Sequence, residues 1–227
     1  MSSHVGVFFV KKKDPNAIRM VIDCRGTTQL CQDPPTTRLG SSRCYAGLRL
    51  DRSHETGGAG AWGREADVND CFYCFSLLEL AHYFGINHPL TASEWRALGL
   101  KFDSIYDPCT RHAVGVDEHT VLYPCFRAVP MGWSWALFLC HEAALQIARP
   151  GSPWNDGILR EERATPQLSE YNTLLGVYVD NITVIGKNQD ELDQRCQVLE
   201  AAFKDADNLD TTHFGDQAGK CWVRFGF

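Results

Sequence analysis

One carboxylate carries the strongest chemical signal in this chain. Asp180 sits in Tyr178-Val179-Asp180-Asn181, between the apolar runs of LLGVYVDNITVIG, whose flanks are rich in β-branched residues. The pattern predicts a β-hairpin with Asp180-Asn181 at its tip, because such residues suit the tight turns, positive φ included, that join antiparallel strands. Turn geometry alone accounts for an aspartate there. Upstream, Glu65-Ala66-Asp67-Val68-Asn69-Asp70-Cys71-Phe72-Tyr73 reads as a short strand that ends in an acidic pair. A strand-end carboxylate, Asp67, beside a hairpin-tip carboxylate, Asp180, makes a dianionic cleft that repels itself without a cation. Mg²⁺ is the hard cation of choice, since it takes oxygen ligands and is usually shared between one or two carboxylates and substrate phosphates. Two-metal phosphoryl transfer uses this arrangement, with ions about 3.5 to 4 Å apart.

The elements that must position these groups can be read in outline. Cys71, Cys74, Phe75, Leu78 and His82 recur at helical spacing, with Asp70 where an N-cap belongs. Near the N-terminus, residues 5 to 9 and Ile18 to Ile22 predict two strands joined through Lys11-Lys12-Lys13 and the turn Asp14-Pro15-Asn16, a basic-tipped hairpin. Arg19 lies on its returning strand and suits phosphate through a bidentate fork, whereas Lys12 serves as a point charge. Thr91 and Glu94 predict a capping box, and residues 121 to 129 a strand. Ala136, Leu139, Cys140, Ala143, Ala144 and Ile147 mark one face of a helix ended by Arg149-Pro150-Gly151. Residues 150 to 170, polar and turn-rich, predict a mobile loop. Asn188 and Glu191 then open a helix whose buried stripe is Leu192, Cys196, Leu199 and Phe203. Mixed strands and helices in this order imply an α+β fold, a sheet backed by helices with carboxylates at its exposed end.

Four segments in order also resemble those of a known family: FFVKKKDPNAIRMVIDCRG at 8 to 26, ADVNDCFYCF around Asp67, AVPMGWSWALF at 128 to 138, and the YVDN box. The family is the reverse transcriptases, RNA-directed DNA polymerases, with the wording closest to the retroelement type. The resemblance implies the fingers and palm of a polymerase right hand, with a mixed antiparallel sheet and a catalytic β-hairpin. Residues 1–50 would form the fingers hairpin region and 51–227 the palm, with about 85–127 returning to the fingers. It implies nucleotidyl transfer, with Asp67 and Asp180 holding two Mg²⁺ ions (Mn²⁺ as the alternative) and Asn181 beside them. Lys12, Arg19, Asp70, Phe72, Met131 and Gly132 would bind substrate, Phe72 as an aromatic wall against the nucleotide sugar. The implied partners are deoxynucleoside triphosphates, an RNA or DNA template with its primer, and further polymerase domains of a longer polyprotein. Neither a thumb nor an RNase H segment can be read before Phe227. Two residues depart from the family pattern: Asn181 replaces a second aspartate, and Met131 stands where many members have glutamine. Two other functions stay open: a catalytically degenerate, nucleic-acid-binding derivative, and an RNA-directed RNA polymerase.

Charge is unevenly spread. The chain holds 22 Lys+Arg and 28 Asp+Glu, net -6, yet residues 1–50 are net +5 and the remainder net -11. The basic end fits triphosphate binding, and the acidic remainder fits metal binding but attracts a phosphate backbone weakly. At 227 residues and 44% hydrophobic content the chain can bury a sizeable core. No signal peptide or membrane span is evident, so an intracellular setting, cytoplasmic or nuclear, is expected, without secretion or a membrane partner. Ten cysteines lie scattered among apolar segments, Cys24, Cys125 and Cys140 among them, which predicts buried thiols. Cys71-x-x-Cys74 and Cys109-x-x-His112 each lack the second half of a zinc site. Gly58 to Gly63 reads as GxGxxG, but without a preceding strand it predicts a flexible loop instead of a dinucleotide site.

Overall fold

The computed structural model describes residues 3–49, 61–107, 110–149, 156–209 and 223–226. Strands β1 (His4–Lys11) and β2 (Ile18–Asp23) are followed by helices α1 (Arg25–Leu30) and α2 (Ser42–Ala46) and by β3 (Trp62–Val68). Two 3-10 turns, Cys71–Cys74 and Leu78–Tyr83, lead to β4 (Gly85–Ile86), β5 (Leu90–Thr91) and α3 (Ala92–Ala97). Strands β6 (Ser104–Asp107), β7 (His112–Gly115) and β8 (Val121–Leu122) precede α4 (Ala136–Ala148). Strands β9 (Asp156–Leu159), β10 (Thr173–Tyr178) and β11 (Asn181–Gly186), helix α5 (Gln189–Leu209) and β12 (Val223–Gly226) follow. The architecture is α+β. Among the described residues no helix is long and apolar enough to cross a membrane.

The chain divides into two compact units, Met1–Pro34 with Phe75–Ala136 and Pro35–Cys74 with Leu137–Phe227. The divisions fall at 34, 74 and 136.

In the first unit β1 runs antiparallel to β2 and parallel to β4. The turn between β1 and β2 is built by Asp14, whose carboxylate accepts the Asn16 N–H (2.9 Å) and whose carbonyl accepts the Ala17 N–H (3.1 Å). The α3 capping box is present: the Glu94 N–H donates to Thr91 Oγ1 (3.3 Å) and the Thr91 N–H donates to Glu94 Oε2 (2.7 Å). The helix expected from Cys71 to His82 does not form. Ser76 bridges Ala128, the Leu77 N–H donates to the Arg127 carbonyl (2.6 Å) and the Val129 N–H to the Phe75 carbonyl (3.1 Å). Pairing of 75–77 with 127–129 claims the groups an α-helical ladder would need, so only short 3-10 turns remain on either side. The strand expected over 121–129 is likewise reduced to β8 and isolated bridges at Cys125 and Ala128.

Gly132 shows why that segment needs a glycine. Its backbone lies against β2, and an added Cβ would fall well inside contact distance of the Ile22 carbonyl oxygen. Next to it, Trp133 is buried edge-on to Phe84, with ring centroids 5.2 Å apart. The Trp135 indole N–H donates to the Gln32 carbonyl (2.6 Å).

The second unit is built on a five-stranded sheet in the order β12-β3-β11-β10-β9, antiparallel except for the β9–β10 pair. Residues 173–177 of β10 are all buried, as a central strand covered on both faces requires. Asn188 caps α5, its side-chain oxygen accepting the N–H groups of Asp190 (2.8 Å) and Glu191 (3.2 Å). Leu192, Cys196, Leu199 and Phe203 are buried as the stripe predicts, and α5 lies against β3, β11 and β12. Arg195, also buried on this helix, donates through Nη2 to the Ala148 carbonyl (2.8 Å) at the C-terminal end of α4, where a cation meets the negative pole of the helix.

Within residues 150 to 170 the structure corrects the expected loop. Residues 156–159 form β9, and Leu159 and Leu168 join Cys44 and Leu174 in a buried cluster. A four-residue strand parallel to its neighbour has too few residues to register as a pattern. The expected GxGxxG loop lies mostly outside the described residues, but Trp62 and Gly63 already belong to β3. None of the described cysteines is disulfide-bonded; Cys24 and Cys140 are buried as expected, whereas Cys125 is exposed.

Gly132→Ala is expected to destabilise the protein by about 1 to 3 kcal/mol, the cost of forcing a methyl group into a filled position. Chemical denaturation measures it, and an unchanged midpoint would show that β2 yields freely at Ile22.

Candidate active site

Strand pairing brings the two leading carboxylates into one neighbourhood. β11 pairs with β3 so that Asn181 stands opposite Asp67. The next pair outward is hydrogen-bonded, since the Val68 N–H donates to the Asp180 carbonyl (2.9 Å). Asp67 and Asn181 therefore form a non-hydrogen-bonded pair, the kind with Cα atoms about 4.5 Å apart and side chains on the same face. The Asn181 Nδ2 donates to Asp180 Oδ1 (3.2 Å), tying the tip carboxylate to that pair.

The hairpin turns one residue earlier than the sequence suggested. Tyr178 pairs with Asn181, so the two-residue loop is Val179-Asp180. Its pairing with β3 holds Asn181 in the strand, and the left-handed position falls to Val179 at φ 59°. A positive φ at the first loop residue alone is the pattern of a type II′ turn, where glycine is preferred. For a β-branched residue this is a true outlier, at a cost of order 1 to 3 kcal/mol. The side chain of Val179 is buried, which offsets that cost.

Asp67 is held above the usual carboxylate range. Although the side chain reaches solvent, partial loss of hydration is the larger cause and the negative charge of Asp180 the second. Neither carboxylate forms an ion pair among the described side chains, and no group of three His, Cys, Asp or Glu there could hold a metal unaided. Two mutually repelling carboxylates fit Mg²⁺ as far as their chemistry goes, with the remaining ligands coming from water and substrate phosphate. β12 adds Arg224 at the register position opposite Asp67, on the other flank of β3.

The other expected residues fall into two groups. Asp70 and Phe72 belong to the same unit as Asp67, Asp180 and Asn181, whereas Lys12, Arg19, Met131 and Gly132 belong to the first unit. Asp70 is not a side-chain cap. It sits at φ 51°, and its carbonyl, not its carboxylate, accepts the Tyr73 N–H (2.7 Å). Phe72 is half-buried in the 3-10 turn, and Lys12, Arg19 and Met131 are exposed.

One supporting residue was missed. Tyr45 on α2 is hydrogen-bonded to Thr183, and its hydroxyl crosses the strand at Gly176, where an added Cβ would collide with it. Gly176 inside a strand of otherwise larger side chains was the available signal, since such a glycine marks the close approach of another group.

Val179→Gly should leave stability within about 1 kcal/mol of wild type, because relief of strain offsets roughly 1.5 to 3 kcal/mol of lost burial. Val177→Gly, in extended backbone, should cost about 3 kcal/mol or more; similar losses at both sites would mean that Val179 carries no strain. Because the folded state raises the Asp67 pKa, the fold binds that proton more tightly than the unfolded chain. Stability should therefore fall as pH climbs out of the usual carboxylate range and through the raised value. Denaturation midpoints from about pH 3 to 7 should show this component vanish in Asp67→Asn and shrink in Asp180→Asn; identical profiles in all three proteins would remove the coupling. The chain matches no protein-family model and no curated protein, so the chemistry of this site rests on its own residues.

Proposed function

We propose that this chain is the fingers and palm portion of a reverse transcriptase-like polymerase of a retroelement, an RNA-directed DNA polymerase acting by two-metal nucleotidyl transfer. The observation that carries this is the β3–β11 register. It sets Asp67 opposite Asn181 with Asp180 in the adjoining loop, close enough for the charge of Asp180 to raise the Asp67 pKa. Structural carboxylates at strand ends are normally paired or spread apart, and two left in mutual repulsion are more simply explained as ligands in waiting.

In the proposed reaction the primer 3′-hydroxyl attacks the α-phosphate of a deoxynucleoside triphosphate, and pyrophosphate leaves. Bound Mg²⁺ would supply Lewis-acid stabilisation of the attacking and leaving oxygens. Asp67 and Asp180 provide the carboxylate oxygens, and Asn181 orients Asp180 through its amide. Lys12 and Arg19 would neutralise the triphosphate, and Gly132 supports its segment by close packing on β2. Phe72 would stand against the sugar, leaving no room for a 2′-hydroxyl. Asn181 also favours a second reading, a degenerate copy that binds nucleic acid without catalysis, because an amide there adds no charge.

Primer extension tests this. Asp180→Asn is expected to abolish incorporation and Asn181→Asp to raise it, since one removes a metal ligand and the other adds a metal-facing charge. Equal activity in wild type and Asp180→Asn would refute the mechanism, and inactivity of both wild type and Asn181→Asp would favour the degenerate copy. Phe72→Val is expected to admit ribonucleotides with only modest loss of deoxynucleotide incorporation. Wild type that already uses both sugars equally would favour an RNA-directed RNA polymerase, and a Phe72→Val protein that only unfolds would make the ring part of the core.

A further inference from the structure

We propose that Cys71 and Cys74 form a reversible disulfide that acts as a redox switch on the turn carrying Phe72. The two cysteines bracket Phe72-Tyr73 and are the first and last residues of a 3-10 turn. With three residues per turn and a rise of about 2.0 Å per residue, positions three apart eclipse each other roughly 6 Å apart. That spacing lies within the range a disulfide bridges, about 4.4 to 6.8 Å between Cα atoms. In the α-helix that the sequence suggested, positions three apart are neighbours as well; pairing at 75–77 leaves the two cysteines at the ends of a short 3-10 turn of their own.

The direction of the Cys74 thiol agrees. It reaches back over the preceding turn, to 3.5 Å from the Asp70 carbonyl oxygen and 3.7 Å from that of Asn69, the side on which Cys71 lies. These contacts also supply the coupling. As a thiol, Cys74 donates to the carbonyls of Asn69 and Asp70, which join Asp67 to the turn; as a disulfide it has no proton to donate. Oxidation therefore removes these two contacts from the segment between Asp67 and Phe72, where Asp70 already occupies a left-handed conformation.

Cys74 is partly exposed and Cys71 buried, which assigns their roles. The Cys74 thiolate attacks one sulfur of a low-molecular-weight disulfide such as oxidised glutathione, forming a mixed disulfide and expelling one glutathione thiolate. The Cys71 thiolate then attacks the Cys74 sulfur and expels the second. Two protein thiols are oxidised, one external disulfide is reduced, and the two protons pass to the departing glutathiones.

The tryptic peptide from Glu65 to Arg96 contains Cys71 and Cys74 and no other cysteine, so the chemistry can be mapped directly. The whole chain is equilibrated with glutathione mixtures, quenched with iodoacetamide, digested and weighed. In oxidising mixtures this peptide should lose both labels together and become two hydrogens lighter, reverting on reduction. Cys71→Ser should stop at a glutathione adduct on Cys74, and Cys74→Ser, at the more exposed position, should keep Cys71 alkylatable if the first variant folds poorly. Full alkylation of both cysteines in wild type, or a lasting adduct on Cys74 beside an alkylated Cys71, would overturn the proposal. Control of sugar choice rests on the polymerase function proposed above: the ratio of ribonucleotide to deoxynucleotide incorporation should shift several-fold between oxidised and reduced wild type and stay constant in Cys74→Ser. A ratio unchanged by a disulfide that does form would sink the control of Phe72. Absence of any incorporation would count against the polymerase alone, because peptide mapping decides the disulfide without it.

Discussion

Everything at the candidate site depends on one antiparallel contact, the pairing of β3 with β11. It fixes Asp67 opposite Asn181, and by holding Asn181 in the strand it forces the hairpin to turn at Val179-Asp180. A side-chain period of two leaves little freedom here, since a slip of one residue would send Asp67 to the other face and expose Ala66 and Val68, both buried. The hydrophobic sheet therefore does the positioning. It brings together charges that would separate if the strands were free.

The cost of this placement is visible at both strand ends. β3 is followed by Asp70 at φ 51°, and β11 is preceded by Val179 at φ 59°. Two left-handed residues close to two repelling carboxylates put strain and electrostatic cost at the same end of one sheet. The opposite investment lies deeper, in β10 buried on both faces and in α5, whose stripe and buried Arg195 lock onto the sheet and onto the end of α4. A rigid interior of this kind can hold an unfavourable edge in one geometry.

Much of the fold was legible because the signals were local. The Asp14 turn, the Thr91–Glu94 box, the Asn188 cap and the α5 stripe each need only a few neighbouring residues, and each is present. What was misread depended on distant partners. Cys71 to His82 has helical spacing, but residues 75–77 pair with 127–129, and no local pattern records that competition. β9 failed for a related reason: its apolar residues are too few to announce a strand, and its pairing with β10 supplies the rest. At the site, Asp67 and Asp180 could be singled out as chemistry-bearing types. The position of the turn could not, because turn preferences favour Asp-Asn and only the β3 register moves the loop onto a valine.

The misread helix has a chemical consequence. Had residues 71 to 82 formed one α-helix, Cys71 and Cys74 would be two core positions on a long element, and Phe72 would move only if that whole element moved. Broken into a single 3-10 turn, the same residues become a short element of their own, whose bonds include the Tyr73 N–H to the Asp70 carbonyl and the Cys74 thiol to the carbonyls before it. A change confined to one sulfur pair can therefore alter the segment between Asp67 and Phe72 while the sheet that carries Asp67 stays in register. A turn that is a separate element from the sheet edge can change while that edge stays fixed. Here that separation follows from the bridge between Ser76 and Ala128, which interrupts the helix one residue after the turn's flank at Phe75.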